Sequence, residues 1–165
     1  MIEDIRTDRL ILRPLTLETA RLIDRGVRQV DWADGYPTEG DREIAALIVE
    51  SAAVVDTDLG IWQIIDRTSS LVIGGIGFLG WNPEERSIAV GYGIAEEFRG
   101  QGLTTEALVA LLDVARQTPN LDQVVADTTT DNVASQRVLD KAGFIVDRTE
   151  GAQVFYRLQF PSRNG

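Results

Sequence analysis

The segment from Ser87 to Gln117 constrains the fold more than any other part of the chain. "SIAVGYGI" reads as a strand and "AEEFRGQG" as a loop. From Leu103 the residues Ala107, Leu108, Leu111, Leu112 and Ala115 recur at helical spacing. A second unit of the same kind follows. "DQVVADTT" reads as a strand, and Asn132 to Ala142 as a helix with Ala134, Val138, Leu139 and Ala142 inward, stopped by Gly143. Two successive strand-to-helix units predict neighbouring parallel strands, with a ligand site at their carboxyl ends.

The rest of the chain extends this pattern at both ends. "RLILRPL", Arg9 to Leu15, alternates like a strand ended by Pro14. Thr16 then caps a helix whose face is Leu17, Ala20, Leu22, Ile23 and Val27. "VDWADGYPTEGD" reads as a loop, and Asp41 as the cap of a second helix carrying Ile44, Leu47, Ile48 and Val55. "GIWQIID" and "LVIGGIGFLGW" read as strands around a turn at Arg67 to Ser70, and "NPEER" as the next turn. "FIVD" and "AQVFYRLQF" close the chain as a hairpin. The expected fold is α/β with mixed layers: a mixed sheet of about seven strands and about four helices, in the order β-α-α-β-β-β-α-β-α-β-β. One domain over residues 1–160 and a disordered tail over 161–165 are expected for a chain of 165 residues.

Composition narrows the chemistry. Cysteine and histidine are both absent, which excludes disulfides, a Ser-His-Asp triad and histidine metal sites. The formal net charge of -10 suits amines better than nucleic acids as partners. No long apolar run predicts a membrane span, and "MIEDIRTDRL" lacks an apolar leader, so a cytoplasmic protein is expected.

Two glycine motifs compete for the ligand. "GIGFLG", Gly75 to Gly80, matches the dinucleotide fingerprint by letter, but Trp81, Asn82 and Pro83 follow where a helix is needed. It reads instead as strand glycines where another backbone approaches. "RGQGLT", Arg99 to Thr104, lies after a strand and opens a helix. Its amides and the helix dipole make an anion site, to which Arg99 adds a charged donor. In the second unit Asp131, Asn132 and Ser135 crowd another helix start, as caps or as ligand contacts.

With these motifs in order, the chain resembles the GNAT superfamily of N-acetyltransferases, in particular its RimJ/RimL-like branch. "TDRLILRPL" is similar to that branch's first strand, and "VGYGI" to the strand before the cofactor loop. "RGQGLTTEAL" is similar to the pyrophosphate motif, and "DNVASQRVLDKAGF" to the helix beside pantetheine. The resemblance implies that acetyl-CoA is the acyl donor. Amides of Arg99, Gly100, Gln101, Gly102, Leu103 and Thr104 would hold its pyrophosphate. The backbone of Tyr92, Gly93, Ile94 and Ala95 would pair with pantetheine where parallel strands splay, Gly91 and Gly93 forming a bulge. Asn132 would bind the CoA arm, and Ser135 would be the general acid beside the thiolate, with Tyr92 as another proton partner.

Two departures stand out. Thr104 replaces the last small residue of the loop motif, and Ala89 stands where this branch often carries glutamate, so that base is missing. The carboxylates left as candidates are Glu84, Glu85, Asp66, Asp127, Asp31 and Asp34. Trp32 and Tyr36 are candidate walls of the acceptor site. The implied function is acetyl transfer to a primary amine, on a small molecule or a peptide N-terminus, by a monomer or homodimer. A binding-only module and a transferase of larger acyl groups are the alternatives.

Overall fold

The computed structural model describes residues 2–51 and 57–162. Its framework is one eight-stranded sheet in the order β1-β2-β3-β4-β5-β6-β8-β7. The strands are β1 (Ile5–Arg6), β2 (Leu10–Pro14), β3 (Ile61–Asp66), β4 (Val72–Asn82), β5 (Ser87–Ile94), β6 (Gln123–Thr129), β7 (Ile145–Glu150) and β8 (Gln153–Gln159). The helices are α1 (Leu17–Asp24), α2 (Glu39–Ser51), α3 (Leu103–Gln117) and α4 (Val133–Lys141). The expected elements are thus all present, with one strand more than the seven foreseen. The extra strand, β1, has two residues, too few for an alternating pattern to show.

Local chemistry sets the helix ends. The Thr16 hydroxyl accepts the Thr19 N–H at 3.1 Å and starts α1. That helix stops before Val27, which is exposed. Gly26 takes a left-handed φ of 70°, and the N–H groups of Gly26 and Val27 donate to the carbonyls of Ile23 and Leu22. Gly143 closes α4 in the same way, with the Phe144 N–H donating to the Leu139 carbonyl at 3.0 Å and both side chains buried. The cap of α2 is Thr38, with Asp41 one turn inside, so the expected capping by Asp41 is corrected. Asp41 Oδ2 accepts the Thr38 N–H and hydroxyl, both at 2.8 Å. The Asp41 N–H donates back to Thr38 Oγ1 at 3.3 Å, completing a capping box. Val55, expected on this helix, lies outside the described residues, and Leu47 is exposed.

The α3 stripe is buried as its spacing predicted: Leu103, Ala107, Leu108, Leu111, Leu112 and Ala115. Each buried leucine contributes roughly 1.5–3 kcal/mol relative to exposure. By contrast α4 buries only Leu139, and Ala134 is exposed, because that flank of the helix faces a groove. The final strand inserts between β6 and β7, pairing antiparallel with both. Pro161 and Ser162 follow without regular structure, and the remainder of the expected tail lies outside the described residues. Among the described residues no helix is long and apolar enough to cross a membrane.

Candidate active site

The sheet opens where β5 and β6 run parallel. β5 and β6 pair only through Ser87, Ile88 and Ala89 with Gln123, Val124 and Val125. Beyond that point β5 stays bonded to β4 as far as Ile94, and β6 to β8 as far as Thr129. Each strand is held by its outer neighbour, so the expected splay is present. The expected bulge at Gly91 and Gly93 is not, because both pair in regular register with Gly77 and Gly75. The irregularity falls instead between Leu79 and Asn82, where Gly80 has a φ of 69°.

Both helix starts that follow the parallel strands flank this gap. A short 3-10 turn, Glu96–Phe98, leads into the loop before α3. Gly100 and Gly102 adopt left-handed φ values of 76° and 78°, and no side chain caps the helix. Asn132 caps α4, its Oδ1 accepting the Ser135 N–H at 3.1 Å. Between them lies a groove of about 430 Å³ lined by Tyr92, Gly93 and Ile94, by Arg99, Gly100, Gly102, Leu103 and Thr104, and by Asn132 and Ser135. Two expected contacts are corrected. Ala95 is buried and its N–H donates to the Ile73 carbonyl at 2.7 Å, away from the gap. Gln101 is not in the lining, and its carbonyl accepts Arg9 Nη1 at 2.8 Å.

The groove carries a charge signature that the motifs did not reveal. Arg99, Arg137 and Lys141 line it without any carboxylate, in a chain of net charge -10. None of the three forms a salt bridge among the described residues, whereas Arg9, Arg13, Arg86, Arg116, Arg148 and Arg157 do. The signal was legible in "SQRVLDK", whose cations fall four apart and so share one face of the helix.

The first strands brace this loop. Glu106, in the first turn of α3, accepts Thr7 Oγ1 at 2.6 Å, the Arg9 N–H at 3.0 Å and Arg9 Nε at 2.8 Å. Burial pushes the Glu106 carboxyl up, but the hydrogen bonds from Thr7 and Arg9 outweigh it and hold it below the usual range. A carboxylate lowered on folding adds stability above its unfolded pKa of about 4.3 and loses it as pH falls through the folded value. Glu106→Gln should therefore melt below the native chain at pH 7, and the difference should vanish in melting scans well below pH 4.

Two hydroxyls meet at the gap. Tyr92 Oη lies 3.0 Å from Ser135 Oγ and also donates to the Ser135 carbonyl at 3.3 Å. Burial raises the Tyr92 phenol above its ordinary pKa, so it stays protonated at neutral pH. Both expected proton partners are therefore in the groove, in contact with each other.

A second cavity of about 430 Å³ occupies the opposite face. Its floor explains the misleading fingerprint. Gly75 pairs with Gly93 and Gly77 with Gly91, so four glycines form a block without side chains on one face of β4 and β5. Gly91 has an ordinary φ and nothing within 4 Å of a would-be Cβ, so the fold makes no demand for glycine there. The two cavities share Tyr92, Gly93, Ile94 and Arg99, and so meet through the splayed sheet. Tyr36 forms part of the wall. Its phenol is pushed up by burial first and by the nearby Asp41 charge, and it accepts Gln63 Nε2 at 3.1 Å. Trp32 does not line the cavity; it is buried behind Tyr36, edge-on at 5.3 Å. Arg28 fastens this loop, donating to the carbonyls of Tyr36 at 2.7 Å and Ala33 at 2.9 Å.

None of the six carboxylates named from the sequence lines either cavity. Glu84 and Glu85 sit on an exposed turn, Asp127 is exposed on β6, and Asp31 and Asp34 are exposed on the loop. Asp66 is used by its own turn, accepting the Ser69 N–H at 2.9 Å. The acids that do line the second cavity are Glu39 and Asp41 on the first turn of α2 and Glu43 just after it. The spacing Thr38-x-x-Asp41 before an apolar helix was the available signal, and it identifies a cap rather than a site.

Comparisons with known proteins agree with this layout. Residues 9–145 match the acetyltransferase (GNAT) domain family. The chain is 31% identical over 148 residues to the uncharacterized N-acetyltransferase YoaA of Bacillus subtilis, covering 87% of this chain and 84% of that protein. It is also 31% identical over 86 residues to the uncharacterized N-acetyltransferase YjdG of the same organism, a match spanning 52% of this chain and 51% of YjdG. A solved structure of RimL, a ribosomal L7/L12 alpha-N-protein acetyltransferase in complex with coenzyme A, superposes with a TM-score of 0.66 at 18% identity. That superposition covers 95% of this chain and 98% of the other.

Proposed function

The chain belongs to the GNAT family of acetyltransferases, and from that premise we propose that it transfers the acetyl group of acetyl-CoA to a primary amine. Residues 1–160 act as one domain in this reading. The observation that carries it is the pair of cavities on opposite faces of the sheet, which share Tyr92, Gly93, Ile94 and Arg99. Two reactants entering from opposite sides meet there.

The residues of the first groove suit CoA. Among the described residues its lining charges are all cationic, it contains an uncapped helix start, and it opens on strand edges that no neighbouring strand bonds. Gly100, Gly102 and Thr104 contribute amides for the pyrophosphate, and Arg99, Arg137 and Lys141 neutralise the phosphates. Tyr92 to Ile94 offer backbone groups to the pantetheine arm, and Asn132 and Ser135 border it. Acetyl-CoA supplies the activated thioester. The protein orients it, which is worth on the order of several kcal/mol in such reactions. The Tyr92 phenol is the proton donor for the leaving sulfur, with the Ser135 hydroxyl held against it.

The acceptor enters the second cavity. Apolar walls from Leu15, Ile23, Ile44 and Leu79 combine with the acids of α2, which suits an amine on an apolar arm. RimL acts on a protein alpha-amine, and a peptide N-terminus is the acceptor class we favour here. Ala89 favours a second reading, a module that binds acyl-CoA without turnover. Release of free thiol across a panel of primary amines separates the two.

Binding is tested by thermal melting. Ligand at a hundred times its Kd stabilises by about 2.7 kcal/mol, which raises Tm by roughly 5–11 °C at this chain length. CoA and acetyl-CoA should both do so. No shift at millimolar CoA in a folded sample overturns the reading.

A further inference from the structure

We infer that Asp41 is the base of this reaction: its Oδ1 takes the proton from the attacking amine. The inference rests on the acyl-transfer reading above. Two observations of geometry carry it, and the burial of the side chain supports them. First, the capping box fixes the carboxylate, with the Thr38 N–H and hydroxyl both bound to Oδ2 at 2.8 Å. No hydrogen bond among the described residues engages Oδ1, so one oxygen is left for a ligand.

Second, the sheet is cut away to receive that oxygen. A Cβ placed on Gly75 would overlap Asp41 Oδ1, so any side chain there would push the carboxylate out. Gly75 stands opposite Gly93, and a Cβ on Gly93 would lie 3.1 Å from Thr38 Oγ1. The capping box therefore sits directly beneath the pair of strands next to Tyr92, where the two cavities join. Asp41 reaches this point from α2, and Ala89, the strand position lacking a carboxylate, pairs with Leu79 farther along the same face.

Asp41 is also distinguished from its neighbours. Glu39 and Glu43 are exposed, whereas Asp41 is half-buried. Burial pushes its carboxyl above the usual range, against the hydrogen bonds from Thr38 and the charge of Arg42 that lower it. A carboxylate so raised is a stronger base than a solvated one. The titratable and charged groups around it are Tyr36, Glu39, Arg42, Glu43 and Arg99.

The neutral amine nitrogen attacks the thioester carbon, and the new C–N bond forms as its N–H proton passes to Asp41 Oδ1. The C–S bond then breaks, and the sulfur takes the phenolic proton of Tyr92. Water removes the proton from Asp41 and returns one to Tyr92, so the net products are the amide and free CoA thiol.

The test uses acetyl-CoA with three probe amines: a peptide with N-terminal alanine, phenethylamine and spermidine. Asp41→Asn keeps the shape and an acceptor for Thr38. It should lower kcat at least 100-fold with CoA affinity within threefold of the native chain. The acid limb of the kcat/KM profile, where the amine and Asp41 both protonate as pH falls, should become shallower, leaving only the loss caused by the amine itself. Gly75→Ala, a second variant in case the first folds poorly, should lower kcat at least tenfold by displacing the carboxylate. An Asp41→Asn protein with kcat within threefold of native, or with an unchanged acid limb, overturns the proposal. If no probe is turned over, calorimetry on the CoA-loaded protein decides. Tenfold weaker probe binding in Asp41→Asn supports the proposal, and equal or absent binding overturns it. A CoA-induced rise in Tm in that last case leaves the cofactor reading standing.

Discussion

Replacing Gly102 with valine is expected to weaken CoA binding more than 100-fold and to abolish the CoA-induced rise in Tm. The reason is backbone geometry. Gly102 has a φ of 78°, which a β-branched residue adopts only under strain. Residue 102 escapes that strain by rotating its own backbone, because its neighbours are held: the Gln101 carbonyl is tied to Arg9 and Leu103 is buried. A left-handed non-glycine residue costs about 1–2 kcal/mol, which a typical domain survives. The fold therefore persists while the amides that face the pyrophosphate turn away. Gly91→Ala supplies the contrast. Its φ is ordinary and its Cβ site is empty, so CoA binding should be kept while acceptor KM rises as the cavity floor fills. Isothermal calorimetry with CoA on both variants checks the pair, and native affinity in Gly102→Val would count against the cradle.

The second large effect is expected at Tyr92. Tyr92→Phe should lower kcat about 100-fold, equivalent to about 2.7 kcal/mol of transition-state stabilisation, with little change in CoA affinity. The ring stays to fill its half-buried site, so packing is kept and only the hydroxyl is lost. Ser135→Ala should cost much less, because an aliphatic hydroxyl is a poorer proton donor than a phenol and here serves to hold one. The native enzyme should show no alkaline loss of kcat attributable to this group below about pH 10, since burial raises the phenol further. Stopped-flow detection of free thiol under saturating acetyl-CoA measures both variants. Equal losses in Tyr92→Phe and Ser135→Ala would return the acid role to the serine.

The contrast between these residues and Asp41 shows what a sequence carries. The CoA side was legible because its parts are local. A strand, a glycine loop and a helix start lie consecutively from Ser87 to Thr104, and "DNVAS" repeats the arrangement. Each part has a backbone reason that spacing reveals. The acceptor side was not legible because it is assembled across the sheet. Gly75 and Gly77 become a floor only when β4 pairs with β5 and sets them against Gly93 and Gly91. Asp41 reads as a helix-start acid until tertiary packing puts it under Gly75. The acids named from the sequence lie in the strand region or the first loop, and the fold turns every one of them to solvent or, for Asp66, to its own turn. The clamp of Thr7 and Arg9 on Glu106 was hidden for the same reason: nearly one hundred residues separate partners that only the packing of α3 on β2 brings together. The bulge expected at Gly91 and Gly93 was a local reading of glycine as backbone distortion. In the fold these glycines serve by lacking side chains.

A crystal structure of the protein with CoA tests the two-sided account most directly. The pyrophosphate should lie on the amides of Gly100, Gly102 and Thr104, and the pantetheine arm in the gap beyond Ala89 and Val125. The sulfur should lie within hydrogen-bond reach of Tyr92 Oη, facing the cavity that contains Asp41. A pantetheine arm outside that gap, or a sulfur turned away from Tyr92 toward bulk water, would contradict it.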